Sequence, residues 1–299
     1  MQINDISVFL KQKVMGDGFK NFLMKLLFPF RNSFILFNVT AKAKNNRVNL
    51  NYWWEKPNLG DDLSRVIVEY MLNLRNIPFD KPVHGRKHLY AVGSIITAGI
   101  QDCTVWGSGV LFATMLNRVK GRELDIRSVR GPVSRILLKD MGYDVPEIYG
   151  DPVIILPELY TPTTNKKKYK YGVIIHKDQK FTTQSDEQFL KREDVLMIDI
   201  RTRDYKGFVE KVVSCEKIIS SSLHGIIISE SYGVPAIMHQ PTVEPLLKYC
   251  DWYYSTGRMT FPTVQRLEEV ITIEAPIIPD LTTLRKRLKA AFPYDLYEV

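Results

Sequence analysis

The stretch ISSSLHGIIISESYGVPAI, from Ile219 to Ile237, ends an apolar run in three serines, presents one histidine beside a glycine, and resumes in helical spacing. Serine hydroxyls, an imidazole and the free N–H groups of a helix start make a seat for an anion such as phosphate. An imidazole titrates near neutrality, so it can also deliver a proton in a transition state. The chain has only 5 histidines, and His224 is the one placed for this chemistry. Ser221 and Ser222 offer hydroxyls at the strand end, and Gly225 gives clearance for a ligand. A histidine that caps its own helix or packs in the core fits the same spacing, and spacing alone leaves these roles open. Glu230 faces either the cleft or solvent.

The first half repeats the arrangement. Asn58-Leu59-Gly60-Asp61, Gly93-Ser94, Gly107-Ser108-Gly109 and Arg130-Gly131 each follow a strand-like run. Glycine lets backbone approach a ligand, although a strand-to-helix turn favours glycine anyway. Four such turns in one half point to a bound ligand, with Asn58, Gly60, Ser94 and Ser108 around it. In open parallel sheets, ligands sit at the carboxyl ends of the strands.

Those turns need elements to carry them. RVNLNYWW (Arg47 to Trp54), KHLYAVGSII, CTVWGSGVL and LDIRSVRGP read as strands. A helix is predicted from Asp62 to about Asn76, and VSRILLKDMGYD is a second, ending near Gly142. The segment ELYTPTTNKKKYK breaks the apolar pattern, and alternation then restarts. YGVIIH, DVLMIDI and KIISSS read as strands; YKGFVEKVVSC, HGIIISESYG and LTTLRKRLKAAF read as helices. The pattern predicts an α/β protein of two Rossmann-like domains, residues 1–160 and 161–299, with parallel sheets facing a cleft.

Composition bounds the partners. The 299 residues carry a formal charge of +8, which favours an acidic partner such as phosphate or anionic lipid. Nucleic acid is not expected, because no stretch interleaves aromatics with Lys/Arg and no zinc-finger spacing occurs. Three dispersed cysteines, Cys103, Cys215 and Cys250, fit small buried side chains in a reducing compartment. No run reaches the length of a membrane span, and no signal-peptide order is present, so a cytoplasmic location is expected. FKNFLMKLLFPFRNSF (Phe19 to Phe34) is basic and apolar at helical spacing. Two placements fit it: on an anionic membrane surface, with Lys20, Lys25 and Arg31 towards headgroups, or packed on the body.

The ordered set NLGDD, SVRGPVSRILLKDMGYD, YGDPVIILP and SSSLHGIIISESYGVP resembles the polysaccharide pyruvyl transferase family over roughly residues 50–240. The resemblance implies a GT-B-like fold and transfer of a pyruvyl group from phosphoenolpyruvate to a sugar, closing a ketal across two hydroxyls. It also implies a surface polysaccharide or its lipid-linked precursor as acceptor and a last helix, from about Leu281, that crosses back onto the first domain. By that similarity, Asp61 matches the acidic residue of the family's GD loop. Arg130 matches the arginine of its VRG motif, and Leu223 and His224 match part of its Arg-Leu-His-Gly signature. Ser222 stands where that signature has arginine, so a donor-phosphate contact is either missing or supplied by another cation; Arg122, Arg127, Arg201 and Arg203 are at hand, and His176 ends the first strand after the lysine-rich break.

The resemblance thus implies His224 on the donor side, as phosphate ligand and acid. Asp61 belongs to the acceptor side, as base or hydroxyl-orienting group. A helix cap is the rival role for Asp61 or Asp62, and for Asp62 the favoured one. Phosphoenolpyruvate enters as donor substrate, no cofactor is required, and no His/Asp/Glu spacing resembles a metal site. Two other functions fit the same architecture. A nucleotide-sugar glycosyltransferase needs an acidic residue for the ribose, near the position of Glu230. A non-catalytic glycan- or phosphate-binding protein would tolerate Ser222.

Overall fold

A computed structural model describes residues 43–54, 56–176, 183–242 and 244–298. The basic N-terminal segment singled out above lies outside the described residues.

The first half is a sheet of four parallel strands in sequential order: β1 (Arg47–Asn51), β2 (Arg86–Tyr90), β3 (Cys103–Trp106) and β4 (Leu124–Ser128). Between β1 and β2 runs α1 (Leu59–Asn73), whose Leu59, Leu63, Ile67, Val68, Met71 and Leu72 are buried at helical spacing. The helix begins at Leu59 rather than Asp62, because Asn58 is the extended residue before it. Asp62 is therefore inside the first turn, and its carboxylate accepts a bond from the Asn58 N–H at 3.4 Å. After β4 comes α2 (Pro132–Asp140), with proline in its first turn. Two of the crossovers in this half are not α-helices. Residues 91–102 join β2 to β3 as a loop, and a 3-10 turn, Ala113–Arg118, lies between β3 and β4.

A buried 3-10 turn, Pro152–Ile155, and a short α3 (Leu156–Leu159) lead out of this half. The Val153, Ile154 and Ile155 side chains are fully buried in a core cluster that draws on both halves. Gly107 approaches this turn closely. Its φ is +81°, and a Cβ there would stand 2.4 Å from Pro152 Cδ, so glycine is required.

The second sheet holds β5 (Tyr169–Ile174), β6 (Val195–Met197), β7 (Cys215–Ser220), β8 (Ala236–His239) and β9 (Thr263–Val264), all parallel. Its order is β6-β5-β7-β8-β9. The winding direction reverses at β5, so a crevice opens between the carboxyl ends of β5 and β7, where doubly wound sheets bind ligands. The helices are α4 (Gln184–Leu190), α5 (Tyr205–Val213), α6 (Leu223–Ser231) and α7 (Leu247–Ser255). Seven of the nine residues of α6 are buried, which fits a helix apolar on nearly every side lodged between its sheet and the first half.

The chain then returns. In α8 (Thr282–Ala290), the Leu288 carbonyl accepts the Trp106 indole N–H at 2.8 Å, and Phe292 meets the Trp106 ring edge-on at 4.8 Å. Arg127 binds Asp295 at 2.7 Å. The last helix thus crosses back onto the first sheet, as the resemblance implied.

Candidate active site at the facing strand ends

The turn after β7 is built by its own serines. The Ser220 hydroxyl donates to the Ser222 carbonyl at 2.9 Å and accepts from the Ser222 N–H at 3.0 Å. Ser221 is tied in three directions: its N–H donates to the Ile174 carbonyl at 3.1 Å, its hydroxyl accepts from the His176 N–H at 2.9 Å, and its carbonyl accepts from the Tyr249 hydroxyl at 2.6 Å. The Ser221 hydroxyl therefore joins the ends of β5 and β7. Ser222 precedes α6 in an extended conformation, and its side chain makes no cap bond. Leu223 is buried. Gly225 serves packing: a Cβ there would lie 2.4 Å from Ser220 Oγ and 2.9 Å from Ile174 Cγ2.

His224 opens α6 and points at the start of α1. A Cβ on Gly60 would fall 1.8 Å from His224 Nδ1, so the imidazole occupies the space that glycine leaves. The opposite ring nitrogen, Nε2, stands 3.6 Å from Asp151 Oδ2. Both atoms are buried and neither has a hydrogen-bond partner. Two unpaired polar atoms facing each other at this depth are costly unless a small movement joins them. The other oxygen of Asp151 caps the 3-10 turn, accepting from Val153 N–H at 3.1 Å. Nothing in the reading of single residues singled out Asp151. Its signal was the YGDP stretch before a buried VIIL run.

Across from His224, Asp61 is held in the first turn of α1. The Asn58 side-chain amide donates to Asp61 Oδ2 at 2.5 Å, and Asp61 Oδ1 would lie 3.2 Å from a Cβ on Gly93. The loops after β1 and β2 thereby meet at this carboxylate. Ser94 accepts from Arg130 Nη1 at 2.5 Å. Ser108 is fully buried, donating to the Gly93 carbonyl at 2.8 Å and accepting from Ile95 N–H at 3.3 Å, so it braces the loop from behind.

Arg130 is fully buried and already bound. Its Nε donates to Asp251 Oδ2 at 3.2 Å, and Nη2 donates to the Val110 carbonyl at 3.2 Å. Asp251, on α7, also accepts from the N–H and hydroxyl of Ser134 at 2.9 and 2.7 Å. The start of α2, read as an open anion seat, is filled by the protein's own carboxylate. The other arginines proposed as substitutes for the missing one are also engaged. Arg122 holds the Ile96, Gly99 and Gln101 carbonyls, Arg127 binds Asp125 and Asp295, and Arg201 binds Asp199. Arg203 stands 3.5 Å from Asp62 Oδ2, whose carboxyl burial pushes above its usual range.

Glu230 faces neither cleft nor solvent. It is buried, with Arg258 Nη1 at 2.6 Å, Arg258 Nη2 at 2.9 Å and the Trp252 indole N–H at 2.9 Å. Its carboxylate is committed to the interior, and the residue loses the ribose-binding role that its position suggested.

A groove of about 790 Å³ runs along β1 and α1. Tyr52, Trp54 and Phe79 line it with Asp62, Arg65 and Arg203. Aromatic faces flanked by charged side chains suit a sugar, whose C–H faces stack and whose hydroxyls hydrogen-bond.

Two parallel sheets whose strand ends meet at a histidine and a carboxylate define a two-lobed, Rossmann-like α/β protein. A family model described as polysaccharide pyruvyl transferase matches residues 58–238, and the chain belongs to that family. The chain is similar to an uncharacterised protein of Acanthamoeba polyphaga mimivirus, 29% identical over 201 residues, which are 66% of this chain and 69% of that one. It is 26% identical over 215 residues to the succinoglycan biosynthesis protein ExoV of Rhizobium meliloti, covering 69% of this chain and 64% of ExoV. A crystal structure of a functionally uncharacterised Klebsiella pneumoniae protein superposes with a TM-score of 0.43 at 11% identity, over 84% of this chain and all of that one.

Proposed function

We propose that the protein transfers the pyruvyl group of phosphoenolpyruvate to a sugar of an exopolysaccharide or of its lipid-linked precursor, closing a ketal across two hydroxyls. The observation that carries this reading is His224, seated at the switch point of the second sheet and packed on Gly60 within the family-matched region. ExoV, by its name a protein of succinoglycan biosynthesis, supports a polysaccharide acceptor.

In this reading the donor lies near the β7–α6 turn. His224 protonates the methylene carbon of phosphoenolpyruvate, which leaves C2 electrophilic. An acceptor hydroxyl adds to C2, its proton passing to Asp61, and the bond from C2 to the phosphate oxygen breaks. A second hydroxyl then attacks C2 and closes the ketal, its proton restoring His224, while the proton held by Asp61 leaves with the phosphate. Asp151 orients the imidazole through Nε2, and Nδ1 is the nitrogen turned to Gly60 at the start of α1. The acceptor sugar rests in the groove lined by Tyr52 and Trp54. Arg130 contributes from behind Ser94 by fixing the loops rather than by direct contact with the donor. The reaction belongs in the cytoplasm, where phosphoenolpyruvate is made. Among the described residues no helix is long and apolar enough to cross a membrane.

The test is mass spectrometry of candidate lipid-linked glycans incubated with the protein and phosphoenolpyruvate, with released phosphate measured alongside. Ketal-bearing product and stoichiometric phosphate are expected. Thermal stabilisation by UDP or GDP but not by phosphoenolpyruvate would instead favour a nucleotide-sugar enzyme.

A further inference from the structure

The family's signature arginine is serine here, and Arg130 is closed off by Asp251, Ser94 and Val110. A donor carrying a phosphate and a carboxylate still needs a cation. One buried cation at the switch point has no part in the mechanism so far. Lys248, in the first turn of α7, has a side chain only 9% exposed, and its Nζ lies 2.8 Å from Glu244 Oε2. The other oxygen of the same carboxylate stands 3.3 Å from His176 Nε2.

These contacts close a ring around the crevice. The His176 N–H binds the Ser221 hydroxyl at the ends of β5 and β7, and the Ser221 carbonyl accepts from Tyr249, the residue after Lys248. Arg130 and Asp61 both act electrostatically on the Lys248 ammonium, so it also lies close to the first half's strand ends. Burying an ammonium is expensive unless an anion meets it. Here one carboxylate serves two nitrogen donors, one on each oxygen, as a substrate carboxylate or phosphate would.

We propose that Lys248 and His176 form the seat for the donor's anionic group, and that Glu244 holds that seat until the donor takes its place. The pair supplies the charge that Ser222 does not. The inference rests on the proposed reaction only for the identity of the anion. Burial, which pushes the Lys248 ammonium below its usual range, fits a group that gains from an arriving negative charge.

The experiment measures affinity for inorganic phosphate and for phosphoenolpyruvate, separately, by calorimetry on the wild type, Lys248→Met and Glu244→Gln. Methionine keeps the length of the buried stem and removes the charge. Phosphate affinity is expected to fall on the order of 10- to 100-fold in Lys248→Met, the scale of a lost charge-assisted hydrogen bond. It is expected to rise in Glu244→Gln, where the competing carboxylate is gone. A purely structural ion pair predicts lower stability in both variants and no change in affinity in either. If Lys248→Met does not fold, the direction of the Glu244→Gln change decides, and an unchanged or weaker affinity there overturns the inference. A fall in phosphate binding in Lys248→Met, with no phosphoenolpyruvate binding to any of the three proteins, supports the anion seat and overturns the proposed reaction. Equal phosphoenolpyruvate affinity in all three proteins overturns it and leaves the proposed reaction standing. No binding of either anion to the wild type overturns both.

Discussion

His224 faces two neighbours at once, and each gives a prediction. Its role in the proposed reaction separates into ligand and acid. His224→Gln keeps a hydrogen-bond donor but delivers no proton at neutral pH. Phosphoenolpyruvate affinity should persist in that variant while turnover falls about 10²–10⁴-fold, the usual contribution of acid–base catalysis. Stopped-flow turnover beside equilibrium donor binding reads both; a fully active His224→Ala protein would return the histidine to a structural cap. The second neighbour is Gly60. Alanine there meets the imidazole itself, with a Cβ 1.8 Å from Nδ1, and the ring must swing away. Alanine is otherwise favoured over glycine within a helix by about 1 kcal/mol. Gly60→Ala should therefore keep a folded protein yet lose about 100-fold in rate, as small misplacements of reacting groups do. Unchanged turnover in this variant would show that the position of the ring at α1 does not matter.

At the level of elements, α7 is the piece that single-residue reading overlooked. It carries Lys248 at the crevice and Asp251 under Arg130, and Asp251 reaches into the first turn of α2. Asp251→Ala would strand a buried guanidinium and the Ser134 N–H together. Breaking one side of a buried pair typically costs about 3–5 kcal/mol, so the urea midpoint should drop steeply. A shift of only a few tenths of a kcal/mol would mean that water reaches Arg130. The strands of both sheets up to β7 and the start of α6 were legible because each is a local apolar run, whereas the return of α8, in which only Leu288 is buried, followed from the resemblance alone. The start of α1 was misplaced by three residues, since the acidic pair Asp61-Asp62 mimics a cap while Asn58 holds the extended backbone.

Over the whole molecule, two histidines away from the site set an acid limit. His88 and His239 are buried, and desolvation lowers both below the ordinary 6.5; for His88 the nearby Arg86 and Arg122 add to the shift. Between the lowered folded value and 6.5, the unfolded chain binds protons that the folded chain does not. Stability should therefore fall as the pH drops below about 6.5, and the loss is complete once the folded-state values are passed. Urea titrations at a series of pH values below neutrality test this, and a flat profile there would show that the two rings are protonated in place without penalty. Sequence alone determined the α/β class, the carboxyl-end turns and the serine-histidine-glycine stretch, because these depend on residues close together in the chain. Tertiary structure alone decided which charges are free. Arg130 and Glu230 read as ligand-facing from their positions, yet Asp251 and Arg258, distant in sequence, neutralise them in the interior. Asp151 meets His224 only once the two sheets face each other, and Glu244 meets His176 only once the segment before α7 packs on the end of β5. A charge's partner is set by packing, because Coulomb attraction and desolvation depend on distance through space and not along the chain.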